Sequence, residues 1–477
     1  MNVNLRFRKI NYIIMIMHYS IIVLQHKHYS FIMIKRELSE KIINLSKKFP
    51  SVTITGPRQS GKTTLVKDIF KDYDYSYISL EDPDEREFAI SDPKGFLKRF
   101  SSGVILDEIQ RVPVLLSYIQ GIIDNENISG KENIPCKFIL TGSNQFYLMK
   151  NITQTLAGRT AIVNLLPFSL NEILGKQPIN IFNLTDISDI TEIEGVENIS
   201  GKSDKSDKSG KSGKADKSDK LDKSGISKYD KPPLKLEEYL FKGFYPPIYD
   251  KDLEPKDWLS SYYRTYVERD VREITNIIDI ETFYRFIQLC AGRCGQILNL
   301  SSLASDAGIS HTTAKNWISV LQASFIVHVM PPHFSNFSKR IIKSPKLYFL
   351  DTGLLCYLLR IRNAEDVLFN SMKGQIFENF VFLEFYKFFA NMGEIPPLYF
   401  WRDRTGHEID FIIDTGNKLI PVEAKSGETI VNSFFDGLNY FKSLDKNAGV
   451  SKTGILINGG DAFYIRSGNL SLPWYFI

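Results

Sequence analysis

The chain has 477 residues, room for about three domains, and is 43% hydrophobic and 24% charged, the balance of a globular chain rather than a disordered one. Four cysteines (Cys136, Cys290, Cys294 and Cys356) are too few and too scattered for a disulfide-stapled secreted scaffold, and point to a reducing, cytoplasmic setting. The formal charge of +4 sits in residues 201–231, with ten Lys and six Asp; outside them basic and acidic residues number 49 each, so net charge gives no ground for inferring nucleic-acid binding.

Residues 10–34 are rich in Ile, Met, Tyr and Val, but His18, Gln25, His26, Lys27 and His28 break the run into pieces too short to span a bilayer. A cleaved signal peptide would need a small-x-small site, which does not follow. The preferred reading is that Met33 starts the working protein and residues 1–32 are a dispensable extension; a partner-binding or membrane-surface tail is the second. No stable membrane insertion is expected.

From Glu37 to Lys48 the spacing of Leu38, Ile42, Ile43 and Leu45 predicts an amphipathic helix, and Val52–Ile54 a buried strand. Strand and helix patterns then alternate to about Phe168. This predicts a three-layer α/β domain with a largely parallel sheet over residues 33–175. After the first strand comes Gly56-Pro57-Arg58-Gln59-Ser60-Gly61-Lys62-Thr63-Thr64, which fits GxxxxGK[ST] in the strand-then-helix setting that gives this pattern its meaning. Glycines let backbone N–H groups wrap a β-phosphate at the helix N-terminus. Lys62 can span the β- and γ-phosphates and Thr63 can ligate Mg²⁺, so ATP and Mg²⁺ are the expected cofactors.

Val104-Ile105-Leu106 reads as a buried strand with Asp107 and Glu108 at its carboxyl end, where open α/β sheets bind ligands. Asp107 is expected to hold Mg²⁺ through water, and Glu108 to polarise the attacking water. A third strand, Phe138–Leu140, leads into Thr141-Gly142-Ser143-Asn144; Ser143 or Asn144 there would touch the γ-phosphate or the lytic water, or simply satisfy a turn. Arg159 is a candidate charge stabiliser, in cis or from a neighbouring subunit of a homo-oligomer. A surface salt bridge is the competing reading.

The runs GPRQSGKTT, VILDEIQ, LTGSNQ and LAGRT, with FKGFYP (Phe241–Pro246) and YYRTYVERD (Tyr262–Asp270), resemble the prokaryotic AAA-type ATPases that carry a C-terminal domain of unknown function. The resemblance covers nearly all of residues 33–477 and implies a restriction-endonuclease-like C-terminal domain. The apolar tail and the Lys/Ser/Asp insertion depart from the family pattern, and no second sensor arginine follows the ATPase core.

Residues 176–235 read as a linker. Within it lysine recurs at every third position from Lys202 to Lys223 among Ser, Asp and Gly, a composition that cannot offset the entropy of ordering. Residues 236–360 are mostly helical. Leu300–Ala307, Gly308 and Ser310–Leu321 read as helix–turn–helix with Ser310 as N-cap. Ala314, Trp317, Ile318 and Leu321 face inward; His311, Thr312, Lys315 and Asn316 face outward. Phe325–Val329 and Lys346–Phe349 would form a wing, with Lys339, Arg340 and Lys343 adding charge. DNA contact by such a winged helix and a purely structural role stay open.

In residues 361–477, Glu378 lies on an amphipathic helix. Glu408 and Asp410 share one face of a strand, and Glu423 and Lys425 share one face of the next. If the two strands pair, three carboxylates and a lysine converge. Crowded carboxylates repel without a cation between them, and Mg²⁺ suits such a set. The spacing of Asp410, Glu423 and Lys425, with Glu378 in the preceding helix, resembles the PD-(D/E)xK nuclease core. Lys425 would then orient or deprotonate water beside a metal held by Glu378, Asp410 and Glu423. Charges paired across a solvent-facing hairpin are the alternative. The sequence therefore predicts an ATPase coupled to a DNA-handling, nuclease-like module. The runner-up is a nucleotide-switched scaffold with an inactive nuclease-like fold; a small-molecule kinase fits less well.

Overall fold

The computed structural model describes residues 33–128, 136–143, 152, 154–184, 231–267, 279–333, 344–444, 449–461 and 463–477. The tail 1–32, Asn144, the Lys/Ser/Asp repeat, residues 268–270 of the YYRTYVERD run, and Lys339, Arg340 and Lys343 lie outside them.

The first segment is an α/β P-loop domain. Helix α1 (Leu38–Ser46) buries Leu38 and Ile42. Five parallel strands follow: β1 (Ser51–Thr55), β2 (Tyr75–Ser79), β3 (Gly103–Asp107), β4 (Phe138–Gly142) and β5 (Thr160–Asn164), in the order β2-β3-β4-β1-β5. Strands β1, β3 and β4 are buried along their whole length, which is why they read as near-continuous apolar runs. Separate apolar clusters cover the sheet's two faces. One holds α1, β1 and the helix after the glycine loop, α2 (Lys62–Ile69); the other holds the helices α3 (Pro83–Ser91), α4 (Pro93–Lys98) and α5 (Val114–Ile128). Helix α3 starts where its sequence says it should: Asp82 caps the N–H groups of Asp84 and Glu85, with Pro83 at the first helical position. Because β4 lies between β1 and β3, the loop after β1 and the acids after β3 open onto one crevice at the carboxyl edge.

Past β5, α6 (Leu170–Leu174) begins with a capping box of Ser169 and Glu172. The middle segment contains α7 (Leu236–Lys242), α8 (Pro246–Asp250), α9 (Pro255–Tyr262), α10 (Ile280–Ala291), α11 (Leu300–Ala307) and α12 (His311–Ala323). Ser310 caps α12 through the Thr313 N–H. Ala314, Trp317, Ile318 and Leu321 are buried, and His311, Thr312, Lys315 and Asn316 are exposed. Strands β6 (Val327–Met330) and β7 (Lys346–Phe349) pair antiparallel. This hairpin is packed rather than free: β7 is wholly buried, and the chain after β6 bonds to the next sheet through His333 N–H to Phe400 O at 2.7 Å.

After α13 (Thr352–Leu358) and α14 (Ala364–Phe369), the long helix α15 (Lys373–Asn391) leads into β8 (Leu398–Arg402), β9 (Glu408–Asp414) and β10 (Leu419–Lys425). Helix α16 (Asp436–Leu444), β11 (Gly454–Asn458), β12 (Tyr464–Arg466) and β13 (Asn469–Pro473) complete a six-stranded sheet in the order β12-β13-β11-β10-β9-β8. Strands β8, β9 and β10 run antiparallel in turn, and β11 is parallel to β10. One apolar core joins α6, the middle helices, α15 and one face of this sheet; α16 covers the other face.

Candidate functional site

The glycine loop turns sharply out of β1. Gly56 adopts φ 151°, and a Cβ there would lie 2.1 Å from Leu165 O, so no larger residue fits. Gly61, at φ 92°, hands the chain to α2. Lys62 is 6% exposed, and its Nζ donates to Gly56 O at 3.0 Å and Pro57 O at 2.8 Å, which lays the ammonium across the loop. The Ser60 hydroxyl is fully buried with no hydrogen-bond partner among the described residues. A buried hydroxyl without a partner lacks a hydrogen bond that the chain does not supply, and in the loop that also holds the Lys62 ammonium a phosphate oxygen would fit that need. Thr64 follows Thr63 in the first turn of α2; Arg58 and Gln59 form the loop's outer part, with Gln59 at φ 63°.

Facing the loop, Thr63 Oγ1 donates to Asp107 Oδ2 at 2.8 Å, so the two side chains expected at Mg²⁺ already touch. Two further hydroxyls orient Asp107: Tyr77 OH donates to Oδ2 at 2.8 Å, and Thr141 Oγ1 donates to Oδ1. With two of these bonds on Oδ2 and one on Oδ1, Asp107 keeps about one acceptor position, on Oδ1, for a hydrated cation. Glu108 stands in the left-handed region at φ 57°, a conformation costing about 1–3 kcal/mol that is held only where surroundings enforce it. Its carboxylate accepts from Ser143 Oγ at 2.9 Å and from Gln110 Nε2. Ser143, expected near the γ-phosphate, therefore serves Glu108. Arg159 is engaged elsewhere, with Nε 2.6 Å from Asp124 Oδ1. Tyr77 and Gln110 escaped the sequence reading. Gln110 sits two residues past the acid pair and could have been found as a polar neighbour, whereas Tyr77 is placed only by the pairing of β2 with β3.

A buried polar network runs beneath the loop. Arg36 Nη1 donates to Ser60 O at 2.9 Å and its Nε to Glu172 Oε1 at 3.0 Å. Glu37 accepts from Asn391 Nδ2 on α15 at 2.8 Å and from Ser169 Oγ at 3.1 Å; burial and the nearby Glu172 push its carboxyl up to about 7. On α15, Lys387 Nζ donates to Phe168 O at 2.7 Å and pairs with Glu384 at 3.0 Å, while Glu384 accepts the Leu170 N–H at 2.7 Å. The segment after β5 is thus bound to α15 by fully buried charges.

Near the other end of α15 the second constellation assembles. The antiparallel β9–β10 pair sets Asp410 beside the Ala424 N–H, which donates to it at 3.0 Å. Lys425 Nζ lies 2.5 Å from Glu423 Oε2 and 3.4 Å from Asp410 Oδ2. Glu378 accepts from Lys346 Nζ at 3.0 Å and Tyr348 OH at 2.6 Å. Lys346 also contacts Glu408 at 2.5 Å, and Arg402 reaches Glu408 at 3.1 Å. Burial raises the Glu423 carboxyl, reinforced by Asp410. Burial works the same way on Asp410, but Lys425 and Lys346 outweigh it and hold that group below its usual range. Glu378, Asp410, Glu423 and Lys425 are therefore brought together, with ammonium groups between the carboxylates. Among the described residues no group of three His, Cys, Asp or Glu side chains is arranged to hold a metal ion. Lys346 and Tyr348 escaped the sequence reading, since β7 alternates like any core strand and nothing local marks a charge partner.

Residues 48–174 match the family described as AAA domain; residues 234–365 and 373–476 match two domains of unknown function (DUF8612 and DUF4143). An uncharacterized protein of Mycobacterium tuberculosis is 24% identical over 83% of this chain and 74% of its own length. One of Methanocaldococcus jannaschii is 26% identical over 83% of this chain and 78% of its own. The Walker-type ATPase of Pyrococcus abyssi aligns over 68% of this chain and 95% of its own, at 13% identity and a TM-score of 0.35. The Thermotoga maritima RuvB Holliday junction branch migration motor aligns over 62% and 90%, at 14% identity and a TM-score of 0.28. The first segment is an AAA-type, nucleotide-binding P-loop domain, by its family match and its strand order with the loop and acids at the carboxyl edge. No helix among the described residues is long and apolar enough to cross a membrane.

Proposed function

We propose that the protein is an ATPase whose nucleotide state drives a DNA-handling, nuclease-like C-terminal module. The observation that carries the hydrolytic half is the contact of Thr63 with Asp107, next to a Glu108 held by Ser143 and Gln110. Lys62 shifts from its loop carbonyls onto the β- and γ-phosphates. Thr63 and Asp107 would hold Mg²⁺, which when bound would supply positive charge to the transferring phosphoryl group. Glu108 polarises the attacking water, and Ser143 with Gln110 keep its carboxylate aimed. Arg159 stabilises charge only after leaving Asp124. The coupling half is supported by α15, which bears Lys387 and Glu384 against the segment after β5 and Glu378 in the second constellation.

The nuclease-like reading draws support from the order α15–β8–β9–β10–α16–β11, with three antiparallel strands followed by a parallel one, and from the meeting of Asp410, Glu423 and Lys425. DNA would be met by the exposed His311, Thr312, Lys315 and Asn316 of α12. The second reading, a nucleotide-switched scaffold, is favoured by one observation: Lys346 and Lys425 already stand between the carboxylates.

Lys62→Ala is expected to abolish ATP turnover while leaving the far-ultraviolet circular dichroism spectrum intact; unchanged turnover refutes the assignment. Mg²⁺-dependent cleavage of a DNA panel by wild type, but not by Asp410→Ala or Glu423→Ala, supports the nuclease. Identical behaviour of all three supports the scaffold.

A further inference from the structure

The two halves of the C-terminal constellation differ in how their positive charge is held. Lys425 follows Glu423 on the same strand, and its side chain is 33% exposed, so its ammonium can move aside when another cation arrives. Lys346 comes from the middle segment, and its side chain is 2% exposed. Its strand is fixed on both sides. Lys346 pairs with Met330 of β6 and bridges to Ile297; Leu298 N–H donates to Pro345 O at 2.7 Å, and Leu347 N–H to Gln296 O at 3.1 Å. Two residues further along β7, Tyr348 OH donates to the same Glu378 oxygen that Lys346 grips. The Lys346 ammonium is enclosed with its carboxylate partners and has no solvent to turn into, whereas Lys425, a third exposed, can be withdrawn by a side-chain rotation.

Four carboxylates (Glu378, Glu408, Asp410 and Glu423) share this neighbourhood, and such a set cannot stay ionised and packed without cations between its members. We propose that Lys346 is a positioning residue that acts as a permanent internal counter-ion. It fixes Glu378 and Glu408 in place and fills the position between them that a divalent cation would otherwise take. The C-terminal site is then incomplete without the β6–β7 hairpin, which supplies an essential charge. The inference builds on the proposed function in treating these carboxylates as one site, but it requires neither DNA cleavage nor ATP turnover.

The test uses the full chain, free of nucleotide, with Mn²⁺ as the probe and electron paramagnetic resonance to count bound ions. Lys346→Met is expected to bind about one more Mn²⁺ than wild type, and the gain should disappear in Lys346→Met/Glu408→Gln. Its melting temperature should fall in chelator and recover in millimolar Mn²⁺ by more than wild type gains. A folded Lys346→Met that binds no additional Mn²⁺ overturns the proposal. Should that variant fail to fold, Lys346→Met/Glu378→Gln/Glu408→Gln decides. Recovery of folding supports a charge role; continued failure shows that the position needs the shape of lysine and overturns it. Because neither readout involves hydrolysis or cleavage, a negative result leaves the ATPase and nuclease readings untouched, and an inactive nuclease leaves this proposal untouched.

Discussion

Lys387→Met tests the buried link between the segment after β5 and α15. Methionine keeps the length and apolar stem of the side chain, so the change removes charge and donors more than packing. Lys387 is 1% exposed and Glu384 3%, and Lys387 Nζ lies 3.9 Å from the centre of the Phe244 ring. Deleting one partner of such a pair strands the other charge in the core, a loss of about 3–5 kcal/mol. Adding Glu384→Gln removes the stranded charge while leaving an amide oxygen for the Leu170 N–H, and should return about half of the loss. The penalty should also depend on pH. Burial already raises the Glu384 carboxyl against the pull of Lys387, and without the ammonium it rises further. A carboxyl raised in the folded state favours folding at low pH, and that advantage is lost as pH climbs from the usual glutamate range through the folded value. The single variant should therefore be nearer wild type at pH ~5 than at pH ~8. Urea unfolding followed by tryptophan fluorescence reads this directly, because Trp258, Trp317, Trp401 and Trp474 all lie in the middle and C-terminal segments. A loss below about 1 kcal/mol at the higher pH, or an equal loss in the double variant, refutes the reasoning.

Glu108→Gln should keep ATP affinity within a few-fold and lower turnover by about 10²-fold or more, since the amide can still be held by Ser143 but cannot take a proton; nucleotide-binding calorimetry beside a phosphate-release assay checks both halves. Glu37 sits at about 7 in the folded chain against 4.5 when exposed, so it costs stability as pH rises through that interval. Glu37→Gln should flatten this part of the pH–stability curve and gain about 2 kcal/mol above pH ~8, allowing for partial contact with water; parallel wild-type and variant melting curves across pH would contradict it.

What the sequence by itself determined is local. The loop Gly56–Thr64, the acids at the end of β3 and the caps at Asp82 and Ser310 each follow from residue type within a few positions, because glycine conformation, helix starts and strand ends are short-range matters. The alternation of Asp410 on β9 with Glu423 and Lys425 on β10 was equally legible, since strand period is fixed by backbone geometry. What only the tertiary structure decided is which distant groups complete each site. Tyr77 reaches Asp107 because β2 pairs with β3, Lys346 reaches Glu378 because β7 packs against α15, and Arg36 reaches both Ser60 and Glu172. Arg159 in the run Leu156–Thr160 read equally as a charge stabiliser or as half of a surface salt bridge, and only the fold sets it against Asp124, 35 positions earlier. A charged residue in a sequence declares its sign but not its partner. Partners are chosen by burial, where an unpaired charge is expensive, and burial is a property of the packed chain.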